Sequence, residues 1–284
     1  MGHKVSGNLL IIGGAEDKKN ECRILKNFVA LAGGPKSIVA VITTATQEPE
    51  AVGSQYRQIL SRLGAGEVRV LDIVTRDQAN NPESTQVIEE ATGIFFTGGD
   101  QLRITSTIGG TKVNEALSRA YRSGVVIAGT SAGASVMSGT MIVGGSSDDA
   151  PKMNTLNMAP GMGLLEEVVI DQHFAQRGRL GRLLAAVAHN PYILGIGIDE
   201  DTAVIVDPEA RLEVVGSQTV TIIDGRNISH TNVSELQTGQ PLAVLGIKLH
   251  VIPAGYGFDL KTRLPLPKKA ENNKEGDQDA DSGD

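Results

Sequence analysis

The 284-residue sequence has one cysteine, Cys22, and no tryptophan. A single cysteine means that no disulfide can close within the chain, and its natural home is a reducing compartment. A zinc site built on several cysteines is excluded for the same reason. Aromatics are scarce, at four Tyr and five Phe, which leaves few platforms for stacking single-stranded bases. Positive charge is in deficit too: 26 Lys and Arg against 33 Asp and Glu give a formal charge of -7, so no nucleic-acid partner is expected. No apolar run approaches the ~20 residues that a membrane span needs. The N-terminus lacks a basic-then-apolar leader and runs from Met1 to Gly7 straight into Leu9-Leu10-Ile11-Ile12. These absences lead to the expectation of a cytoplasmic protein with no membrane partner.

What is present is ordinary globular material, 40% hydrophobic and 21% charged. At roughly 150 residues per domain, the length suits one large domain or two small ones. Short β-branched runs alternate with helix-length amphipathic segments. The strand candidates are 8–12, 37–43, 67–72, 93–97, 125–129, 168–171 and 193–198; helical patterns fill 21–32, 50–63, 82–91, 113–123 and 179–189. Runs such as Ser37-Ile38-Val39-Ala40-Val41-Ile42 are apolar on consecutive residues, the mark of strands buried on both faces. The expected fold is α/β, a mostly parallel sheet flanked by helices, with the loops after the strands gathered along one edge where ligands bind. Past Asp201, three strand-like runs (202–206, 211–215, 219–223) read as an antiparallel meander added to that sheet. From Lys268 on, six acids and three lysines show no apolar periodicity, so one domain over 1–267 and a disordered acidic tail over 268–284 are expected.

The most informative segment is Val125-Val126-Ile127-Ala128-Gly129-Thr130-Ser131-Ala132-Gly133-Ala134: an apolar strand, then Gly-x-Ser-x-Gly, then a small-residue helix start. With 17 serines and 34 glycines, chance supplies the bare pattern in about one such chain in four, so its weight comes from where it sits. A sharp strand-to-helix turn strains its apex residue, and flanking glycines permit the close approach. The hydroxyl of Ser131 then stands at the sheet edge, with the Ala132 amide facing a developing oxyanion. The bland competitor is a glycine turn whose serine caps a helix.

A serine nucleophile needs a base and an orienting acid. Of the five histidines, His3 is terminal and His189 closes a helix before Asn190-Pro191, whereas His173 directly follows a strand, within Asp171-Gln172-His173-Phe174. The acid is expected from Asp199-Glu200-Asp201, again just past an apolar strand. Spacing does not choose among the three, and two of them are expected to be solvated turn residues. The order Ser, His, acid differs from the Ser, acid, His order of α/β-hydrolases and points to another fold. The second glycine turn, Thr97-Gly98-Gly99-Asp100-Gln101, offers amides at Gly99 and Asp100 to complete an oxyanion hole with Ala132.

Together these segments resemble the cyanophycinases, in the serine peptidase group that also holds peptidase E-type aspartyl dipeptidases. The resemblance spans about Leu9 to Leu266 and rests on Ile11-Ile12-Gly13-Gly14-Ala15-Glu16, Phe95-Phe96-Thr97-Gly98-Gly99-Asp100-Gln101, the serine turn, Asp171-Gln172-His173-Phe174 with Arg177-Gly178-Arg179-Leu180-Gly181-Arg182, and Gly195-Ile196-Gly197-Ile198-Asp199-Glu200-Asp201-Thr202-Ala203. It implies a class I glutamine amidotransferase-like (flavodoxin-like) fold and a triad of Ser131, His173 and Glu200. It also implies a homodimer and exopeptidase release of β-Asp-Arg from cyanophycin, a poly-aspartate carrying arginine on its side-chain carboxylates; no cofactor or metal is expected. Such a substrate is zwitterionic at every repeat, so its pocket needs both signs of charge. Gln101, Asp171, Gln172, Arg177, Arg179 and Arg182 are the candidate substrate-binding residues, against the plainer view that Arg179 and Arg182 form an exposed helix face. The arginines would also keep His173 neutral, as a general base requires.

Other motifs carry less. Gly13-Gly14 lacks the rest of a dinucleotide fingerprint. The sequons at Asn227 and Asn232 have no meaning in a cytoplasmic chain. Asp148-Asp149 and Glu166-Glu167 read as solvated charges and not metal ligands. Two competing expectations are an aspartyl dipeptidase of peptidase E type and a catalytically silent, ligand-binding relative.

Overall fold

The apolar strand runs divide between two sheets. The computed structural model describes residues 5–145, 150–153 and 156–268, and its larger sheet has nine strands. One half of that sheet is parallel, in the spatial order Leu9–Ile12, Val126–Thr130, Gly93–Phe96, Ile38–Ile42, Glu67–Leu71. Its central strands are buried at nearly every residue because helices cover both faces. Alternation assigns each side chain to a layer. Ile11, Ile127, Ile94 and Phe96 pack with Val113 and Leu117 of the helix Lys112–Arg122. Leu10, Ile12, Ala128 and Phe95 pack with Leu25 and Phe28 of the helix Arg23–Ala32 and with Tyr56 and Leu60 of the helix Pro49–Arg62. Each of the Leu, Ile, Val and Phe side chains among them contributes about 1.5–3 kcal/mol on leaving water. The helix Lys112–Arg122 buries Val113, Ala116, Leu117, Ala120 and Tyr121, the i, i+3, i+4, i+7, i+8 face of an amphipathic helix, and Thr111 caps it by accepting the Asn114 amide.

Beyond Leu9–Ile12 the sheet turns antiparallel. Thr202–Val206 pairs with Leu9–Ile12, followed by Arg211–Gly216, Gly257–Asp259 and Leu264–Leu266. The whole is therefore a mixed sheet with flanking helices, and the expected meander needs correction. Its first two strands join this wing, but the third, Thr219–Asp224, crosses into a second sheet of four strands. There it lies between Leu194–Ile198 and Lys248–Pro253, both antiparallel to it, while Val168–Gln172 pairs parallel with Leu194–Ile198. The departure happens at Gly216, whose φ of 116° suits glycine and whose added Cβ would lie 2.3 Å from the Asp201 carbonyl oxygen. The expectation that Val168–Asp171 and Ile193–Ile198 belong to the main sheet is corrected with it. Two-sided burial says that a strand is central without saying in which sheet.

The expected strands and helices in the parallel half form within two residues of their anticipated ends. The sequence reading missed the helix Gln101–Ile108, the hairpin of Thr140–Gly145 with Leu156–Pro160, and the strands after residue 224. Residues 269–284 of the expected tail, Asp148-Asp149 and His3 lie outside the described residues.

Candidate active site

The loops after five strands converge at one place. Three follow adjacent parallel strands of the main sheet: Gly13-Gly14, Gly98-Gly99 and Ser131. The other two, at His173 and Glu200, follow the parallel pair of the second sheet. Ser131 occupies the kink between Val126–Thr130 and the short helix Ala132–Ser135, with φ 54° and ψ -111°. That backbone is rare for a side-chain-bearing residue and costs of order 1–3 kcal/mol. The two glycines of the motif make the kink fit. A Cβ on Gly129 would sit 2.3 Å from the Gly133 oxygen, and one on Gly133 would sit 2.5 Å from the Phe96 oxygen.

Ser131 Oγ lies 2.9 Å from His173 Nε2, and His173 Nδ1 lies 2.6 Å from Glu200 Oε1. Spacing left three acids open, and the geometry gives each its own partner. Glu200 meets the imidazole. Asp199 is buried and accepts the Ala175 amide, the Thr219 amide and the Thr219 hydroxyl. Asp201 accepts the Asp17 amide at 2.8 Å. The expectation that two of the three are merely solvated is corrected, since both hold neighbouring loops.

His173 takes φ 47° and its amide donates to the Gly13 oxygen at 2.7 Å. Gly14, at φ 103°, lies under the ring: an added Cβ would be 2.4 Å from the imidazole. The same turn accepts the Asp201 amide through the Gly14 oxygen, and the Ser131 amide donates to Ile12 just ahead of it. One glycine turn thus touches the serine, histidine and acid loops together. Burial lowers the His173 pKa most; the charges of Arg177 and Arg179 add to this, and Glu200 opposes it. The net direction favours the neutral ring that can accept a proton.

The amides of Ala132 and Gly99 donate no hydrogen bond among the described residues. The Gly98-Gly99 turn packs on Ser131, with Gly98 facing the serine Cβ. Asp100 needs a correction. Its amide donates to the Ala45 oxygen at 2.9 Å and its carboxylate caps the helix Gln101–Ile108, so it has no amide to offer an oxyanion.

The candidate substrate-binding residues separate into two groups. Gln172 lies beside the serine, its Oε1 3.4 Å from Ser131 Oγ. Gln101 donates to the Ile142 oxygen of the hairpin at 2.9 Å. Arg177 is exposed and close enough for its charge to act on His173. Asp171, by contrast, is 1% exposed and accepts from Arg182 Nε at 2.6 Å, from Arg182 Nη2, and from Arg179 Nη1 at 3.2 Å. A direct meeting of Asp171 with substrate is therefore corrected: its oxygens are committed to two buried arginines. Those arginines do not line an exposed helix face either, each being only 7% exposed. Arg179 also donates to the Gln172 carbonyl and keeps a buried Nε with no partner. Among the described residues, no group of three His, Cys, Asp or Glu is placed to hold a metal.

The sequence pattern of peptidase family S51 matches residues 9–214, a span that contains the serine turn, the histidine and the acid loop. The chain belongs to peptidase family S51. Its relatives include a cyanophycinase of Geminocystis herdmanii, 41% identical over 94% of this chain and 98% of that one. A cyanophycinase of Trichormus variabilis is 42% identical over 91% of this chain and 87% of its own length. The fold is also similar to the crystal structure of a peptidase from an acI-B1 Actinobacterium, at a TM-score of 0.63 and 24% identity over 91% of this chain and 98% of the other. The family's span stops before the last strands of both sheets.

Sequence reasoning missed Gln176 and the part played by the Gly13-Gly14 turn, and it offered Asp199 only as a candidate for the acid. Gln176 Oε1 accepts the Glu200 amide at 3.0 Å. For the turn the available signal was two glycines directly after the first buried strand, a segment that supported the family resemblance but whose glycines were weighed only as an incomplete dinucleotide motif.

Proposed function

We propose that this chain is a serine peptidase that degrades cyanophycin, with Ser131 as nucleophile, His173 as base and Glu200 as the acid that orients it. The observation that carries the reading is the unbroken series Ser131 Oγ, His173 Nε2, His173 Nδ1, Glu200 Oε1, with steps of 2.9 and 2.6 Å. It stands in a family member whose relatives at 41% and 42% identity are cyanophycinases. A neutral His173 takes the Ser131 proton on Nε2 as Oγ attacks the aspartyl carbonyl of the main chain, and Glu200 holds the Nδ1 proton and stabilises the imidazolium. The oxyanion is received by the Ala132 and Gly99 amides. His173 then gives its proton to the departing amine, leaving an acyl ester on Ser131. A water, deprotonated by the same imidazole, hydrolyses that ester. Each missing oxyanion donor would cost about 10²- to 10³-fold in kcat.

The product would be β-Asp-Arg released from a chain end. Arg177 presents exposed positive charge to substrate carboxylates, Gln172 and Gln101 bear on the dipeptide unit, and buried Arg179 supports the Gln172 carbonyl from behind. Asp171 and Arg182 act through the wall they build. The working unit would be the α/β domain over 1–267, as a cytoplasmic homodimer; light scattering at twice the chain mass would support the dimer.

The test is incubation of wild type and Ser131→Ala with insoluble cyanophycin, with products identified by mass. β-Asp-Arg from wild type alone supports the proposal. Cleavage of free α-Asp dipeptides with inert polymer would transfer the reading to an aspartyl dipeptidase.

A further inference from the structure

Glu16 has no part in the chemistry above, yet it is 3% exposed, a carboxylate removed from water. Burying a charge costs several kcal/mol unless it is paired and hydrogen-bonded. Here three groups meet it. The Tyr56 hydroxyl donates to Oε1, the Thr130 hydroxyl donates to Oε2 at 2.6 Å, and Lys18 Nζ stands 3.0 Å from Oε1. Tyr56 is itself buried, and both burial and the Glu16 charge push its phenol pKa well up, so it remains a donor.

The Thr130 contact is the telling one. Thr130 is the last residue of the strand Val126–Thr130, and the next residue is the kinked Ser131. A side chain at a strand end normally has freedom to swing; this one is 4% exposed and tied to a buried anion. Glu16 in turn belongs to the segment whose Gly13 oxygen receives the His173 amide and whose Gly14 supports the imidazole. The carboxylate therefore links the backbone beneath the nucleophile to the turn beneath the base, 114 residues apart in sequence.

We propose that Glu16 is a positioning residue for the reaction, which acts through the Thr130 hydroxyl to hold the strained Ser131 kink in register with His173. The proposal rests on Ser131 being a serine nucleophile, so its test needs a readout independent of the substrate. Glu16→Gln keeps the shape but offers one acceptor oxygen to two hydroxyl donors. Thr130→Val removes the hydroxyl alone, and Thr130→Ser retains it.

Steady-state kinetics on cyanophycin are measured beside the rate of Ser131 phosphonylation by a small fluorophosphonate, with melting temperatures for all variants. Glu16→Gln and Thr130→Val should each lower kcat and the labelling rate by roughly 10- to 100-fold, with KM changed by less than about twofold. The double variant should be no worse than the worse single, because both break one linkage. Thr130→Ser should keep both rates near wild type. The proposal is overturned if the two single variants lose melting temperature but keep wild-type kcat and labelling, if their losses multiply in the double variant, or if only KM moves. A wild type that is labelled at Ser131 but leaves cyanophycin intact would sink the substrate reading alone, and the labelling rates would still decide the role of Glu16. A wild type resistant to the reagent sinks both.

Discussion

The two sides of the candidate site are built from different materials. On the serine side the backbone does the positioning: a φ of 54° at Ser131, glycines at 129 and 133 against carbonyl oxygens, and an amide from Ser131 to Ile12. On the histidine and acid side, buried charge does it. Asp171 grips Arg179 and Arg182 behind the His173 loop, and Asp199 ties the acid loop to Ala175 and Thr219. The difference sets what each side tolerates. The first accepts no added atom, and the second accepts no lost charge. The Gly13-Gly14 turn serves both, since the Ser131 amide donates to Ile12 directly ahead of it, the Gly14 oxygen holds the Asp201 amide and the bare Gly14 Cα faces the imidazole.

Outside the Ser131, His173 and Glu200 series itself, the largest effect should therefore come from Gly14→Ala. A methyl 2.4 Å from the ring carbon cannot coexist with the present His173, and the φ of 103° resists any side chain. The imidazole must move by more than an ångström, which breaks its approach to Ser131. We expect kcat/KM to fall by about 10³-fold or more, toward the ~10⁴- to 10⁶-fold loss of Ser131→Ala. Labelling with the fluorophosphonate should fall in parallel. A Gly14→Ala enzyme within tenfold of wild type would show that the glycine turn does not set the histidine.

Asp171→Asn comes next, and it attacks the charged side only. The carboxylate is 1% exposed and the arginine side chains 8% and 7%, so the substitution leaves buried guanidinium charge without its counter-ion. Removing one partner of a buried pair costs about 3–5 kcal/mol, which for a chain of this size lowers the melting midpoint on the order of 10 °C. Thermal unfolding followed by circular dichroism reads this directly. A change of only 1–2 °C would mean that the cluster is hydrated and works as a surface network.

How much of this was legible beforehand follows from the same contrast. Steric demands leave marks in sequence, because glycine beside serine at a strand end has few other uses. The elbow, the histidine loop and the parallel half could all be read, since each is local: a buried run, a turn, a helix start. The second sheet could not, because Val168–Gln172 and Leu194–Ile198 are as apolar as strands of the main sheet and only pairing tells them apart. Charge networks hide for a similar reason. Asp171, Arg179 and Arg182 looked like groups awaiting a zwitterionic ligand, and folding instead turns Asp171 toward the two arginines. Asp100 likewise looked like part of an oxyanion turn until Ala45, 55 residues earlier, claimed its amide. Long-range partners of polar groups are what periodicity does not encode.

Asp199→Asn should have a moderate effect that tests whether the acid loop depends on buried hydrogen bonds. The carboxylate accepts from Ala175 at 3.0 Å and from the Thr219 hydroxyl at 2.8 Å. An amide must turn its NH2 toward one of those donors, at a cost of about 1–3 kcal/mol. Because Glu200 is the next residue, kcat should drop more than KM rises. Unchanged kcat together with reduced stability would assign Asp199 to the fold alone.

The smallest effect belongs to the one arginine in the exposed position, and it is best read through pH. Arg177 lowers the His173 pKa by charge alone, acting with burial and Arg179 against Glu200. With His173 as the proposed base, activity would need its neutral ring, so the acid limb of kcat/KM should fall as pH drops through the His173 value, which burial lowers from the ordinary imidazole value. In Arg177→Gln one repulsive charge is gone, protonation becomes easier, and the acid limb moves to higher pH. Activity is then lost in a window where wild type still works, while rates well above that window change only as far as Arg177 contacts substrate. Salt separates the two contributions: a through-space effect at an exposed site fades as ionic strength approaches 1 M, where the screening length is about 3 Å. Profiles of wild type and Arg177→Gln should converge in high salt on the acid side. Should the acid limb stay put in Arg177→Gln at low salt, burial and the buried Arg179 charge would be keeping the base neutral, and the exposed charge of Arg177 would have no part in its titration.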